Sequence, residues 1–219
     1  NREDFHSLNC SISIRCNVDH RNVEGVSPLI QLLARKNLHQ KIDYFYPIGI
    51  YSWGGNDAQT KSLTKEEFAQ REIDWLIEMI DLGYKPGFMP GRVKNVCMAV
   101  SESSEMYDAF GNIFDCTEVS YSDAYGDSYV LGNLRFDEAT YAQKRTFSDW
   151  NDQILNNEFQ CFSCKMLPVC GGCCPKSWRE GNRACPTSKF NIKEKLALAY
   201  VVASSGEYAN VKEVRAIQD

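Results

Sequence analysis

The sequence lacks any long hydrophobic run. None of its apolar segments approaches the roughly 20 consecutive residues that a membrane-spanning helix needs. Its first ten residues also contain no apolar stretch of the kind found in secretory signals. We therefore expect a cytoplasmic location and no membrane partner.

An excess of positive charge is also missing. The chain carries 24 lysines and arginines against 29 aspartates and glutamates, which gives a formal net charge of -5. Binding to a phosphate backbone requires a basic face that displaces counterions. The charge balance therefore argues against nucleic acid as a partner.

Histidine is scarce, but cysteine is abundant. The three histidines are scattered, and no two have the i, i+4 spacing of a helical metal site. Ten cysteines indicate either a disulfide framework or metal ligation. Disulfide-rich scaffolds are usually shorter and secreted, whereas this chain of 219 residues has long amphipathic helices. Metal ligation is the favoured interpretation.

Strands and helices alternate along residues 1–91. Two apolar segments, residues 11–18 and 42–51, have the patterns of strands with a buried face. Ser27, followed by proline, is predicted to cap a first helix. A capping box at Thr64–Glu67 is predicted to open a second one. This order is typical of βαβ units with a parallel sheet, although the segment is too short for a whole barrel.

The composition changes at about Arg92. Glycine, serine, aspartate and tyrosine become more frequent there, strands become short and most of the cysteines follow. A final helix is predicted at about residues 192–204. The expected organisation is therefore an α/β segment over 1–91, a small α+β domain over 92–190, and a C-terminal helix and tail over 191–219.

The densest group of cysteines has the pattern C-x2-C-x5-C-x3-C between Cys161 and Cys174. A two-residue gap lets neighbouring thiolates turn toward one metal centre, and Gly171 and Gly172 allow the backbone to approach it closely. Structural zinc sites use similar gaps, so the C-x2-C pairs alone do not distinguish zinc from an iron–sulfur cluster.

The complete pattern is more specific. Thirteen residues separate Cys97 from Gly111, and four more separate Gly111 from Cys116. With the dense group and Cys185, this spacing resembles the seven-cysteine SPASM motif of radical SAM enzymes. The Leu131–Leu134 segment is similar to a short Gly-Asn strand that follows the second cysteine in such domains. The resemblance covers residues 97–185.

The resemblance implies a fold and a missing part. Residues 1–91 would be the C-terminal part of a partial (β/α)6 radical SAM barrel, and residues 92–190 a SPASM cluster-binding domain. The chain has no C-x3-C-x2-C motif, because Cys10 and Cys16 stand five residues apart. This chain alone is therefore not expected to cleave S-adenosylmethionine.

The resemblance also implies two auxiliary [4Fe-4S] clusters as cofactors. The ligands of auxiliary cluster I would be Cys97, Cys116 and Cys174. The ligands of auxiliary cluster II would be Cys161, Cys164, Cys170 and Cys185. The fourth ligand of cluster I varies among relatives, and some supply a cysteine where this chain has Ser103. Cys173 is left outside both sets.

Two further groups of polar residues have alternative interpretations. Arg15 and Asn17 lie on the polar phase of the first strand, where they either contact S-adenosylmethionine in the complete enzyme or face solvent. Four basic residues fall among the cluster ligands and either offset the charge of the clusters or face water. They are Lys165, Lys176, Arg179 and Arg183. Only burial would make these charges effective.

The enzymes that the sequence resembles modify peptides and proteins through a 5′-deoxyadenosyl radical. The expected partners are a peptide or protein substrate and an electron donor or acceptor protein, with this chain providing electron transfer and substrate docking. Anaerobic sulfatase maturases, which form formylglycine, carry an aspartate directly after the second cysteine. Here Thr117 follows Cys116, so a maturase of ribosomal peptides is preferred, with Asp123 and Asp127 as weak candidates for a displaced catalytic acid.

A third hypothesis belongs to another class of protein. Because the chain has no C-x3-C-x2-C motif for a cluster that cleaves S-adenosylmethionine, a third hypothesis is a non-catalytic interaction module that binds zinc or an iron–sulfur cluster. The identity of the bound metal distinguishes the zinc form of this hypothesis from the other two.

Overall fold

The computed structural model describes residues 10–51, 61–119, 125–135, 140–141 and 144–205. These residues form two compact units. The first contains the described residues up to Gly91 together with those from Thr187 onward, and the second contains those from Arg92 to Pro186. No helix in the described ranges is long and apolar enough to cross a membrane.

Six strands and six α-helices position the residues discussed below. The strands are β1 (Ser13–Val18), β2 (Tyr44–Gly49), β3 (Met106–Tyr107), β4 (Asn112–Phe114), β5 (Gly132–Asn133) and β6 (Thr140–Tyr141). The helices are α1 (Val26–Arg35), α2 (Lys65–Asp81), α3 (Trp150–Leu155), α4 (Leu167–Cys170), α5 (Pro175–Arg179) and α6 (Ser188–Ser205).

The first unit contains the parallel pair β1–β2, in which Ser13 lies opposite Tyr44 and Val18 opposite Gly49. Burial alternates along β1: Cys16 and Val18 point toward the apolar core, whereas Arg15 points to solvent. The period-two interpretation of this strand is confirmed. Core packing of Cys16, rather than metal ligation, follows from the same alternation.

The start of α1 differs from the sequence-based prediction. The helix begins at Val26 with Gly25 as its N-cap, so Ser27 lies inside the first turn and does not cap it. A short 3-10 turn over Val23–Gly25 leads directly into the helix and moves its start forward. The Ser27 hydroxyl instead donates a hydrogen bond of 2.8 Å to Glu78 Oε1.

The capping box of α2 is confirmed. The backbone N–H of Glu67 donates to Thr64 Oγ1 at 3.1 Å, and the backbone N–H of Thr64 donates to Glu67 Oε2 at 2.8 Å. These bonds satisfy two of the N–H groups exposed at a helix start. The buried face of α2, which includes Trp75 and Met79, then completes the core against α1 and the sheet.

Helix α6 docks on α2 through polar contacts. Asn191 Nδ2 donates to Ala69 O and to Glu72 Oε2, both at 2.8 Å. Lys195 Nζ lies 2.9 Å from Glu72 Oε1, and the side chains of both residues are largely buried. The last helix therefore belongs to the first unit.

Tyr84 supports a prediction about stability. Its hydroxyl donates to Ile30 O at 2.6 Å, and burial, followed by the nearby Glu78 charge, raises its pKa from 10.0 to about 12. The folded state thus retains a proton that the unfolded state loses, so the free energy of unfolding should fall as pH rises from 10.0 to about 12. Tyr84→Phe should lower the free energy of unfolding by about 1 kcal/mol at neutral pH and remove most of this fall.

Denaturant unfolding at several pH values checks this prediction. Tyr44→Phe is the matched control, because the Tyr44 side chain is exposed on β2. An undiminished fall above pH 10.0 in Tyr84→Phe would assign the titration to another group.

The second unit is built on a small antiparallel sheet with the strand order β3-β4-β5-β6. One apolar cluster packs Phe114, Cys116 and Phe147 together. Another packs Trp150, Ile154 and Cys161 together. Two of the pattern cysteines thus lie within the apolar packing of this unit.

Candidate metal centre

Cys97, Cys116 and Cys174 lie on three separate elements of the second unit. Cys97 precedes a 3-10 turn, Cys116 follows β4, and Cys174 is the N-cap residue of α5. Burial, together with smaller contributions from the negative charges of Cys174 and Cys97, raises the pKa of Cys116 to about 11. Burial likewise raises the pKa of Cys174, with a contribution from Cys97. The fold therefore brings these three thiols into one electrostatic neighbourhood.

Backbone N–H groups point at two of these sulfurs. Cys116 accepts a hydrogen bond from the N–H of Glu118, and Cys174 accepts from the N–H groups of Ser177 and Lys176. Each bond favours the thiolate over the thiol and so opposes the effect of burial. N–H bonds to sulfur are also what a protein uses to stabilise an iron–sulfur cluster. The chemistry of this donor set fits such a cluster.

A glycine turn connects the two cysteine sets. Gly171, Gly172 and Cys173 have φ values of 56°, 85° and 59°, so the backbone is left-handed at three successive residues. A Cβ on Gly171 would lie 2.7 Å from Val96 Cγ2, which shows that this turn packs directly on the residue before Cys97. The absence of a side chain at Gly171 therefore permits the close approach.

Two tryptophans hold the same turn in place. Trp150 Nε1 donates to Gly171 O at 3.3 Å, and Trp178 Nε1 donates to Gly172 O at 2.8 Å. Phe159 lies between the two indoles, with ring centroids 5.4 Å and 5.3 Å from them. The indole rings thus exclude water from one side of the turn and satisfy its carbonyl groups.

Cys161, Cys164 and Cys170 lie on one compact loop. The N–H of Cys164 donates to Cys161 O at 2.9 Å, which closes a turn across the two-residue gap. The N–H of Cys170 donates to Met166 O at 3.0 Å, at the end of α4. Cys185 is half-buried on the segment that leads to α6. The loop therefore gathers three of the four residues assigned to cluster II.

All ten cysteines lie within the described residues, and none of them forms a disulfide. In the part of the chain that the structure describes, no group of three cysteine, histidine, aspartate or glutamate side chains is close enough together to hold a metal ion. Ligation would therefore draw the thiols inward from their present positions. Such movement is expected where metal binding and local folding are coupled.

Asp115 was missed by the sequence analysis. It is completely buried beside Cys116, and its Oδ2 accepts the N–H of Thr146 at 2.6 Å. No described residue hydrogen-bonds to its Oδ1. Burial raises the pKa of Asp115, and its negative charge in turn raises that of Cys116. A buried carboxylate therefore lies beside one thiol of the first cysteine set, whereas Ser103 is exposed.

The other predicted site residues lie elsewhere. Arg15 Nε donates to Asn17 Oδ1 at 2.8 Å on the exposed face of β1, so the two residues share a surface. Asp127 is exposed in a 3-10 turn over Gly126–Tyr129, and Asp123 lies outside the described residues. No described contact joins Asp127 to the cysteines of the second unit.

The four basic residues near the cysteines differ in burial. Lys176 is buried, whereas Lys165, Arg179 and Arg183 are exposed. Arg179 pairs with Asp149 at 2.9 Å and lies 4.8 Å from the centroid of the Phe147 ring. Lys176 therefore meets the condition under which a charge acts strongly on its surroundings.

In comparisons with known proteins, the chain matches no protein-family model, no curated protein and no solved structure.

Proposed function

We propose that this chain is the auxiliary-cluster portion of a radical SAM enzyme that modifies a peptide or protein in the cytoplasm. It binds two [4Fe-4S] clusters, one at each of the predicted cysteine sets. One observation carries the proposal. The glycine turn three residues before Cys174 packs directly on Val96, the residue before Cys97, so two segments that carry cysteines of the first set meet although they are remote in sequence.

The chain's residues have three tasks in this function. The thiolates hold the clusters, which supply one-electron transfer when bound. The N–H groups of Glu118, Lys176 and Ser177 stabilise negative charge on the sulfurs. The Trp150–Phe159–Trp178 stack limits access of water from one side and so raises the strength of these interactions.

The exposed face of the parallel sheet has a separate task. Arg15 lies opposite Tyr46 in the β1–β2 register, and both side chains are exposed on the face that bears Asn17. A guanidinium group beside an exposed aromatic ring suits a carboxylate or a nucleoside. We assign this face to S-adenosylmethionine in the complete enzyme, which takes a peptide or protein substrate and exchanges electrons with a partner protein.

Metal analysis tests the proposal. After anaerobic reconstitution, the chain should hold about eight irons and about eight sulfides, the content of two [4Fe-4S] clusters, and should absorb at about 400 nm. Cys10→Ala is the control, because Cys10 is exposed and lies outside both sets. That variant should retain the full iron content. Stoichiometric zinc without iron would support the interaction-module hypothesis and contradict the proposal.

A further inference from the structure

A groove lies in the first unit between α1 and α2. The two helices run in the same direction: Glu24, just before α1, pairs with Arg71 at 2.7 Å, and Gln31, further along α1, donates to Glu78 Oε1 at 2.8 Å. Their C-terminal ends therefore lie at the same end of the groove. The walls of this α1–α2 groove include Ala34 and Arg35 of α1 and Asp74, Ile77, Glu78 and Asp81 of α2.

The α2 wall presents carboxylates around one apolar side chain. Its four residues have the i, i+3, i+4, i+7 spacing of a single helix face. Glu78 is engaged with α1, because it also accepts a hydrogen bond from the Ser27 hydroxyl at 2.8 Å. Asp74 and Asp81 are exposed, and neither carboxylate forms an ion pair with a described residue. Two carboxylates in the groove are thus available to a partner.

The position of Asp81 is unfavourable for α2 itself. The last turn of α2 contains Glu78 and Asp81 but no basic residue. The macrodipole places a negative partial charge at this end of a helix, so carboxylates there lower the stability of the helix. Arg35 is the one basic residue against three carboxylates along the two walls. Such a departure from the local rule is typical of a functional surface.

The size and spacing of the groove indicate the form of its ligand. Its volume is about 880 Å³, many times the roughly 30 Å³ of one water molecule, so it has room for several side chains rather than one ion. Ile77 and Leu82 are 44% and 37% exposed within it. Asp74 and Asp81 are seven residues apart, about 10 Å along α2, which is the spacing of residues i and i+7 on another helix.

We propose that the α1–α2 groove binds a basic amphipathic helix of a partner protein. Lysines or arginines at i and i+7 of that helix pair with Asp74 and Asp81, and an apolar residue between them packs on Ile77. All of these groove residues belong to the first unit, so the binding does not depend on what the cysteines of the second unit hold.

Binding of synthetic helical peptides to the full chain, followed by fluorescence anisotropy, tests the proposal. The probe is a labelled alanine-based peptide with lysines at i and i+7 and leucines at i+3 and i+4. A peptide with glutamate in place of lysine, and one of the same composition with its lysines and leucines on different faces, should each bind about tenfold more weakly. Raising the salt concentration from about 50 mM to about 500 mM should weaken binding of the probe.

Variants of the two carboxylates locate the binding site. Asp74→Asn and Asp81→Asn should each weaken binding of the lysine peptide by about threefold. Glu66→Gln is the matched control, because Glu66 is exposed at the opposite end of α2 and should leave binding unchanged. Asp81→Asn removes a negative charge from the negative end of α2, so this variant should unfold at the same or a higher denaturant concentration. Its weaker binding would then not come from loss of the fold.

Ile77→Ser tests the apolar contact. It should weaken binding of the lysine peptide by about fivefold, because the exposed part of this side chain would be buried by the peptide. Leu155→Ser, at an exposed apolar residue of the second unit, should have no effect.

Three results would overturn the proposal. The first is equal binding of the lysine and glutamate peptides, or no binding of either. The second is binding that is unchanged in both Asp74→Asn and Asp81→Asn. The third is a dimer of the unaltered chain in sedimentation equilibrium that Asp81→Asn dissociates, which would assign the groove to a second copy of the chain.

Discussion

Replacing Cys174 with alanine is expected to halve the iron content of the reconstituted chain, from about eight to about four atoms. Cys174 is one of the three cysteines assigned to cluster I. Without it only Cys97 and Cys116 remain, and two thiolates are too few to hold a [4Fe-4S] cluster. In the proposed assignment, cluster II draws its ligands from the separate Cys161–Cys170 loop and Cys185. Its electron paramagnetic resonance signal should therefore persist in the variant.

The adjacent residue provides the control. Cys173→Ala removes a thiol one position away and keeps the Cβ atom, so the left-handed backbone at φ 59° should be preserved. This variant should hold the full iron content. Cys185→Ala should lose cluster II and retain cluster I. If Cys173→Ala loses as much iron as Cys174→Ala, the assignment of cysteines that the resemblance implies is wrong.

Gly172→Ala is expected to lower the free energy of unfolding by about 3 kcal/mol, through a steric clash and backbone strain together. A Cβ at this position would lie 2.6 Å from Ile154 Cδ1 and 2.8 Å from Trp150 Cζ2. Ile154 and Trp150 are buried in one apolar cluster, so neither can move aside without disturbing it. The φ of 85° adds strain for any residue other than glycine.

Gly181→Ala separates the two causes of this loss. Gly181 has a similar φ of 78°, but a Cβ there would meet no atom within 4 Å. The control should therefore lose only the conformational part, about 1 kcal/mol. Denaturant unfolding of both variants, monitored by tryptophan fluorescence, gives the comparison. Equal losses would show that packing against Trp150 is not the cause.

The elements that were predicted well have local causes. The capping box of α2 needs only Thr64 and Glu67, which are three residues apart, and the alternation along β1 is a property of the strand itself. Ser27 met the same local rule at α1, but the preceding 3-10 turn changed where that helix begins. A cap is thus predictable only where the incoming chain is extended, as it is at Thr64.

The environment of the cysteines could be predicted only in part. The division into two sets is what the resemblance to a known motif implies, and only the Cys161–Cys170 part of that pattern is local in sequence. Burial of Asp115 and Lys176 depends instead on remote residues, Thr146 and Tyr125 respectively. Sequence placed Lys176 among three other basic residues without distinguishing it from them. The tertiary contacts supply that distinction.

The docking of α6 on α2 has a consequence for the order of synthesis. Glu72 emerges from the ribosome early, whereas its partners Asn191 and Lys195 emerge only after every one of the pattern cysteines. Because chains fold as they are made from the N-terminus, the core that α2 forms with α1 and the sheet can assemble before the polar contacts with α6 are made. A nascent chain that ends before Ser188 would therefore leave Glu72 on α2 without Asn191 and Lys195 as partners.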